Sequence, residues 1–326
     1  MVPFSILDLS PINENETVGD ALGNSLLLAK KAEECGFTRF WLAEHHNMPG
    51  IASSATSVAI GYIAAGTSRI RVGSGGVMLP NHSPLIIAEQ FGTLASLYPN
   101  RIDLGLGRAP GTDMNTARAL RRDLRASAEN FPQDVQELQY YFRQPEEGQQ
   151  IVAVPAAGVQ VPVWLLGSSL YSAQLAAYLG LPFSFASHFA PADLMNALSV
   201  YRSSFRPSAY LDKPYASACV NVLAAPTDEL ARYHFTSHQM ASVQLLRNTP
   251  GKLQPPVDNL DDHVSPAERA SIEHKLAYSM VGSPKTVAHG ISRFVEMTGV
   301  DELMITARVY DVAARLKSVE LISSAF

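Results

Sequence analysis

The sequence predicts a single-domain (β/α)8 TIM barrel, an α/β fold, on three observations. Short apolar runs alternate with helical patterns along the whole chain, which gives a parallel sheet. Eight such units in 326 residues suit one closed barrel over 1–326, with an open doubly wound sheet as the runner-up. The residues suited to binding cluster at the carboxyl ends of the apolar runs, where such barrels hold their sites.

The first strand is 4–9. Thr17 or Asp20 caps the helix that follows, and Gly36 ends it. Strand two, 39–44, runs into the unusual AEHHN at 43–47. A stretch without one charged residue, 51–67, reads as the next helix. Strands three (70–79) and four (102–107) flank a helix opened by Pro84 and closed by Pro99, with Leu85, Ile86, Phe91, Leu94 and Leu97 near one face. Two strands joined by a helix in one sheet are parallel, with a right-handed crossover. Residues 112–130, with Arg118, Arg121, Arg122 and Arg125, read as a loop with some helix, and 131–142 as a helix. Strand five (161–166) leads through GSSLYS into a helix stopped by Gly180. Strand six is 182–187, then come a helix at 193–205 and strand seven at 215–224. Residues 225–282 are polar and weakly patterned, a long insertion after strand seven. A helix opened by Pro284, strand eight at 302–306 and a helix at 312–322 complete the barrel.

Composition narrows the function. With 47% hydrophobic and 17% charged residues the chain has material for one large core and is unlike a disordered protein. A net charge of −5 with no basic run gives no sign of nucleic-acid binding. The two cysteines, Cys35 and Cys219, exclude a disulfide framework and fit a reducing compartment. No signal-peptide pattern precedes the first strand, and no stretch reaches the roughly 18 apolar residues of a membrane span. A soluble cytoplasmic protein is the expectation.

The strand ends collect Glu44, His45 and His46; Gly75 to His82; Gly107 and Arg108; Ser168, Ser169 and Ser172; and His188. Arg108 alone is matched by an ordinary surface ion pair, and one serine at a helix start by an ordinary cap. Three serines at a helix start, with an arginine on the neighbouring strand, predict a phosphate site. GLGRAPG at 105–111 is not a dinucleotide loop, because its glycine spacing is wrong and Pro110 stands where the helix would open. His234 and His238 have zincin spacing, but Phe235 replaces the required glutamate, so they are expected to face solvent and no metal site is predicted. Lys30, Lys31, Lys213, Lys252, Lys275, Lys285 and Lys317 all lie away from the strand ends, which argues against Schiff-base chemistry. Trp41, Ala43 and His45 share one strand face and Phe40, Leu42 and Glu44 the other, which turns His45 inward. Such a histidine suits acid–base work near neutral pH, with a structural role as the alternative.

Taken together these residues resemble the bacterial luciferase-like flavin monooxygenase superfamily. The segments AEHHNMPGIAS (43–53), GSGGVMLPNHSPL (73–85), AEQFGTL (88–94), RIDLGLGRAPG (101–111) and WLLGSSLYSAQLAA (164–177) carry the resemblance, in order and across the chain. It implies a flavin-dependent monooxygenase that binds reduced FMN, supplied by a separate flavin reductase, and oxygenates a small-molecule substrate through a C4a-peroxyflavin. It also implies that His45 is catalytic, that Gly75–Gly76 form a non-proline cis peptide under the flavin, and that Arg108, Ser169 and Ser172 hold the phosphate. Ser168 stands where luciferase has a glutamate, and Glu44 is counted with the cofactor-binding residues. Gly107 replaces a reactive cysteine, which argues against light emission. The connection at 225–282 matches the place of a mobile loop over the site. Two alternatives stay open: an F420-dependent oxidoreductase of the same superfamily, and a flavin-binding protein without catalysis.

The charge-free helix predicts a homodimer, as does the resemblance. Ala55, Val58, Ala59, Tyr62 and Ile63 are expected to face inward, leaving Ile60, Gly61, Ala64 and Ala65 for a partner.

Overall fold

The computed structural model describes residues 2–108, 114–120 and 129–326. Among the described residues nine strands run in parallel: β1 (Phe4–Asp8), β2 (Arg39–Leu42), β3 (Arg71–Met78), β4 (Ile102–Gly107), β5 (Val163–Gly167), β6 (Phe183–Phe185), β7 (Ala216–Ala224), β8 (Ser279–Gly282) and β9 (Glu302–Thr306). Eight of them close a barrel: β1 through β7 pair in sequence, β7 pairs with β9, and β9 returns to β1. The eighth predicted strand is therefore β9. The strand β8 was not anticipated; it adds to the upper half of β7, where Asn221 pairs with Thr306 on one side and Ser279 on the other.

The helices follow the expected order and obey local chemistry. Thr17 and Asp20 form a capping box at the start of Val18–Glu34. Gly180 and Gly299 close Leu170–Leu179 and Pro284–Thr298 in the left-handed conformation that glycine adopts without a steric penalty. Residues 225–282 are not weakly structured. They hold the helices Asp228–Leu246 and Pro266–Lys275 as well as β8, the first capped by Thr227 and the second by a Ser265–Glu268 capping box. Of the arginine-rich stretch, Met114–Ala119 is helical, while Arg121, Arg122 and Arg125 lie outside the described residues.

The charge-free helix is Thr56–Ala65, and its orientation meets the expectation in part: Ala59 and Ile63 are buried and Ala65 is exposed as expected, but the rest of the face is rotated. Ile60 and Ala64 are buried at 0% and 1% exposure, whereas Val58 and Tyr62 are 72% and 46% exposed. Every position is apolar or small, so no charged side marks the outward face.

Two layers of core follow from strand alternation. Phe40 and Leu42 point outward into the large cluster between barrel and helices. Trp41 and Ala43 point inward with Leu7, Trp164, Cys219 and Met304. The Trp41 and Trp164 rings meet edge-on at 5.1 Å. Below them, toward the strand amino ends, buried ions fill the barrel: Arg39 binds Asp103 at 2.8 Å and Glu302 at 3.0 Å, and Tyr215 donates to Glu302 at 2.9 Å. This plug and the tryptophan layer close one end of the barrel. The other end is open.

Candidate active site

Above the tryptophan layer lies a cavity of about 460 Å³, at the carboxyl ends of the strands and within the size range of small-molecule sites. Its floor and walls are largely apolar: Leu7, Trp41, Met48, Phe189, Leu276 and Met304 contribute.

On one side, Arg108 follows β4 and the serines follow β5. The Arg108 guanidinium carbon lies 4.0 Å from the centre of the Tyr171 ring, which fixes it beside the first turn of Leu170–Leu179. Ser169 occupies the N-cap, yet its side chain makes no capping bond. Among the described residues, the hydroxyls of Ser168, Ser169 and Ser172 have no hydrogen-bond partner, and all three residues line the cavity with Arg108. Free hydroxyls, free helix amides and a guanidinium together make an anion cradle.

The wall next to it is bare backbone. The Gly75–Gly76 peptide is cis, and the β3–β4 register skips one residue there, Gly75 pairing with Gly105 and Val77 with Leu106. A β-carbon on Gly76 would lie 2.7 Å from the Gly105 carbonyl, and one on Gly75 would lie 2.6 Å from Leu7 Cδ1. Backbone thus excludes a β-carbon at Gly76, whereas one at Gly75 would need the Leu7 side chain to move.

Glu44 stands behind this wall. It is 1% exposed and does not line the cavity, so the structure does not support its place among direct cofactor contacts. Its backbone N–H donates to Gly76 O at 3.3 Å, and its carboxylate accepts from Met78 N at 3.1 Å, bracketing the cis peptide. His46 Nε2 and His82 Nε2 bind the same carboxylate oxygen at 2.8 and 2.9 Å. Burial pushes the Glu44 carboxyl up, but the His46 and His82 hydrogen bonds, the His82 charge and the Met78 amide outweigh it and hold the group at about 2. The hydrogen bond to Glu44 raises His46. These donor atoms lie within 4.8 Å of one another, a metal-like spacing that their mutual hydrogen bonds already account for.

His45 lines the cavity from the end of β2, on the inward face, and Ser54 Oγ donates to its carbonyl at 2.8 Å. Burial, reinforced by the nearby Arg308 charge, lowers its imidazole to about 4. The ring is therefore neutral at neutral pH, a correction to the expectation that it titrates there. Its Nδ1 is buried without a partner, as is that of His188, which burial lowers to about 3.

Three further cavity residues escaped the sequence reading. His238, expected to face solvent, is buried, stacks on Phe235 at 5.1 Å and lines the cavity. Lys275, set aside as remote from the strand ends, reaches the cavity at the end of Pro266–Lys275. Arg308 lies two residues beyond β9, within reach of the strand-end rule that found the others.

A family model described as luciferase-like monooxygenase matches residues 2–302 of this chain. The chain belongs to the luciferase-like monooxygenase family. A luciferase-like monooxygenase of Escherichia coli (strain K12) is 54% identical over 320 residues, covering 98% of this chain and 96% of its own length. An N-acetyl-S-alkylcysteine monooxygenase of Bacillus subtilis (strain 168) is 39% identical over 251 residues, covering 75% of this chain and 74% of its own. The crystal structure of apo-MsnO8 superposes with a TM-score of 0.88 at 34% identity, over 100% of this chain and 98% of that one. More distant structures share the fold: the FMN complex of the oxygenating constituent of 3,6-diketocamphane monooxygenase from a Pseudomonas putida plasmid (TM-score 0.73, 18% identity, 99% and 97% covered) and an F420-dependent secondary alcohol dehydrogenase (TM-score 0.73, 14% identity, 100% and 99% covered). Members of this fold thus serve both flavin and deazaflavin cofactors.

Proposed function

We propose that this protein is a flavin-dependent monooxygenase that takes reduced FMN from a separate reductase and uses dioxygen to oxygenate a small organic substrate. The observation that carries the reading is the anion cradle: Arg108 held on Tyr171 beside three hydroxyls with no partner among the described residues. A flavin phosphate meets that donor set, and the bare Gly75–Gly76 backbone lines the same cavity, which suits a flat ring. Family membership and the relative named for N-acetyl-S-alkylcysteine oxygenation support small-molecule monooxygenation.

Bound reduced FMN supplies the two electrons with which dioxygen gives one atom to substrate and one to water. The residues do the rest. Arg108, Ser168, Ser169 and Ser172 bind the phosphate, and Glu44 positions the cis peptide through Gly76 and Met78. His45, neutral and facing the cavity, accepts or returns a proton at a ring nitrogen. Met48, Phe189, Leu245 and Leu276 keep water from the reacting groups. The presence of His45 in the cavity argues against a non-catalytic flavoprotein. The homodimer belongs to this reading, with Val58 and Tyr62 as the side chains a partner would cover.

Fluorescence titration with reduced FMN and with F420 tests the cofactor. Oxygen uptake with a reductase, and mass spectrometry for a gain of one oxygen, test the reaction. Tight reduced-FMN binding and substrate-stimulated oxygen uptake are expected. Binding of F420 alone, with turnover that needs no oxygen, overturns the proposal.

A further inference from the structure

The cavity contains more positive charge than a cofactor phosphate calls for. Arg108, Lys275 and Arg308 line it, and among the described residues no aspartate or glutamate does. Arg108 is accounted for by the phosphate cradle. Arg308 is not, and its surroundings are unusual for an arginine in this protein. Arg39, Arg71 and Arg315, three other arginines at the barrel, each bind a buried carboxylate. The Arg308 guanidinium has no ion pair and no hydrogen bond among the described residues.

Its neighbours cannot neutralise it. Arg308 lies near His45, His188 and His238, and each of these is held neutral at neutral pH. The Arg308 backbone N–H donates to His238 Nδ1 at 3.2 Å, so neutral His238 carries its proton on Nε2. His45 and His188 each keep a buried Nδ1 without a partner. Burial lowers Arg308 itself to about 10, which still leaves it charged at neutral pH. A charge in a low-dielectric site without a counterion is costly, and an incoming anion relieves it.

Topology separates this cation from the cradle. Counting round the barrel, β9 lies four strands from β4 by either route. Arg108 after β4 and Arg308 after β9 thus stand at opposite sides of the opening. Between them the walls are apolar, including Trp41, Ala43, Met48 and Met304.

We propose that Arg308, with His188 and His238 beside it, is the substrate's anion-binding subsite, and that the substrate is a small organic acid, a carboxylate or sulfonate on an apolar body. This rests on the monooxygenase reading only for the word substrate; the subsite itself is a property of the unliganded chain. The planar guanidinium offers paired donors to such a head group. An acid seated there directs its apolar portion toward the middle of the cavity, near His45.

Calorimetry on the full chain, alone and saturated with FMN, tests this with matched probes: hexanoate, hexane-1-sulfonate and hexanamide, and the corresponding butyl and 3-phenylpropyl sets. At least one acid should bind roughly tenfold or more tighter than its amide, the scale of one charge-assisted contact. Which acid head wins separates carboxylate from sulfonate. Arg308→Gln should bring acid and amide together while leaving FMN affinity within about threefold, and Arg308→Lys should restore part of the preference. Thermal melting of both variants confirms that they fold. The proposal is overturned if no acid outbinds its amide, or if Arg308→Gln keeps the preference. It is also overturned if that variant loses FMN as strongly as it loses the acid, which would place Arg308 on the cofactor. Acid selectivity in a protein that binds no FMN would sink the monooxygenase reading and leave the subsite standing.

Discussion

Acidification from about pH 7 to about pH 5 should destabilise this protein through its cavity histidines. Burial holds His45 at about 4 and both His188 and His238 at about 3, with the Arg308 charge pushing each the same way. In an unfolded chain a histidine titrates near about 6.5. Between these values the unfolded state binds protons that the folded state refuses. The contribution to stability is therefore complete above about pH 6.5 and is lost as pH falls toward the folded values. Each histidine loses about 1.8 kcal/mol over this interval, at about 1.4 kcal/mol per pH unit below its unfolded pKa. Three acting independently lose roughly 5 kcal/mol, comparable with the whole stability of many domains. His46 works in the opposite direction: Glu44 raises it, so its contribution is present at low pH and fades as pH rises, which makes the sum an upper bound. Glu44, held at about 2, stays charged throughout. Urea unfolding at several pH values, followed by the fluorescence of buried Trp41 and Trp164, measures the effect. His188→Gln and His238→Gln should each remove about a third of the pH dependence. Equal stability at both ends of the range, or single variants that retain the full dependence, would mean that these histidines are not held neutral in the folded state.

Arg108→Ala should weaken reduced-FMN binding about 10- to 100-fold, the worth of a charge-assisted hydrogen bond, with riboflavin affinity unchanged; equal FMN affinity in both forms removes Arg108 from the cradle. His45→Ala should fold and bind flavin but turn over roughly 10²- to 10⁴-fold more slowly, as measured with any substrate found by the oxygen-uptake screen. Val58→Glu with Tyr62→Lys should give a monomer of native helicity by light scattering, because these side chains are exposed and tolerate charge. A dimer that survives both changes has its interface elsewhere. Ile60→Glu would instead unfold the helix region, since Ile60 is fully buried.

The features legible in the residue order are local. Strand alternation separates Phe40 and Leu42 from Trp41, Ala43 and His45, and the observed core layers follow that division. Capping and proline signals mark most helices, and strand ends point to the rim where the cavity opens. These are readable because backbone geometry sets a period of 2 or 3.6 residues on whatever is buried. The helix Thr56–Ala65 shows the limit: a charge-free segment has no charged side to mark water, so the pattern places Ala59 and Ile63 inward correctly but misses Ile60 and Ala64, which only packing against neighbouring helices decides. The same holds for 225–282: Asp228–Leu246 buries the polar Thr236, Ser237 and His238 beside its apolar residues and Pro266–Lys275 buries Ile272, so the stretch reads as a polar connection, yet it brings His238, Leu245 and Lys275 over the barrel. Glu44 took its role from His82, 38 residues away, and Arg308 its isolation from histidines on three other elements. Charge and hydrogen bonding act across a few ångströms of space, and only the closed barrel set those distances.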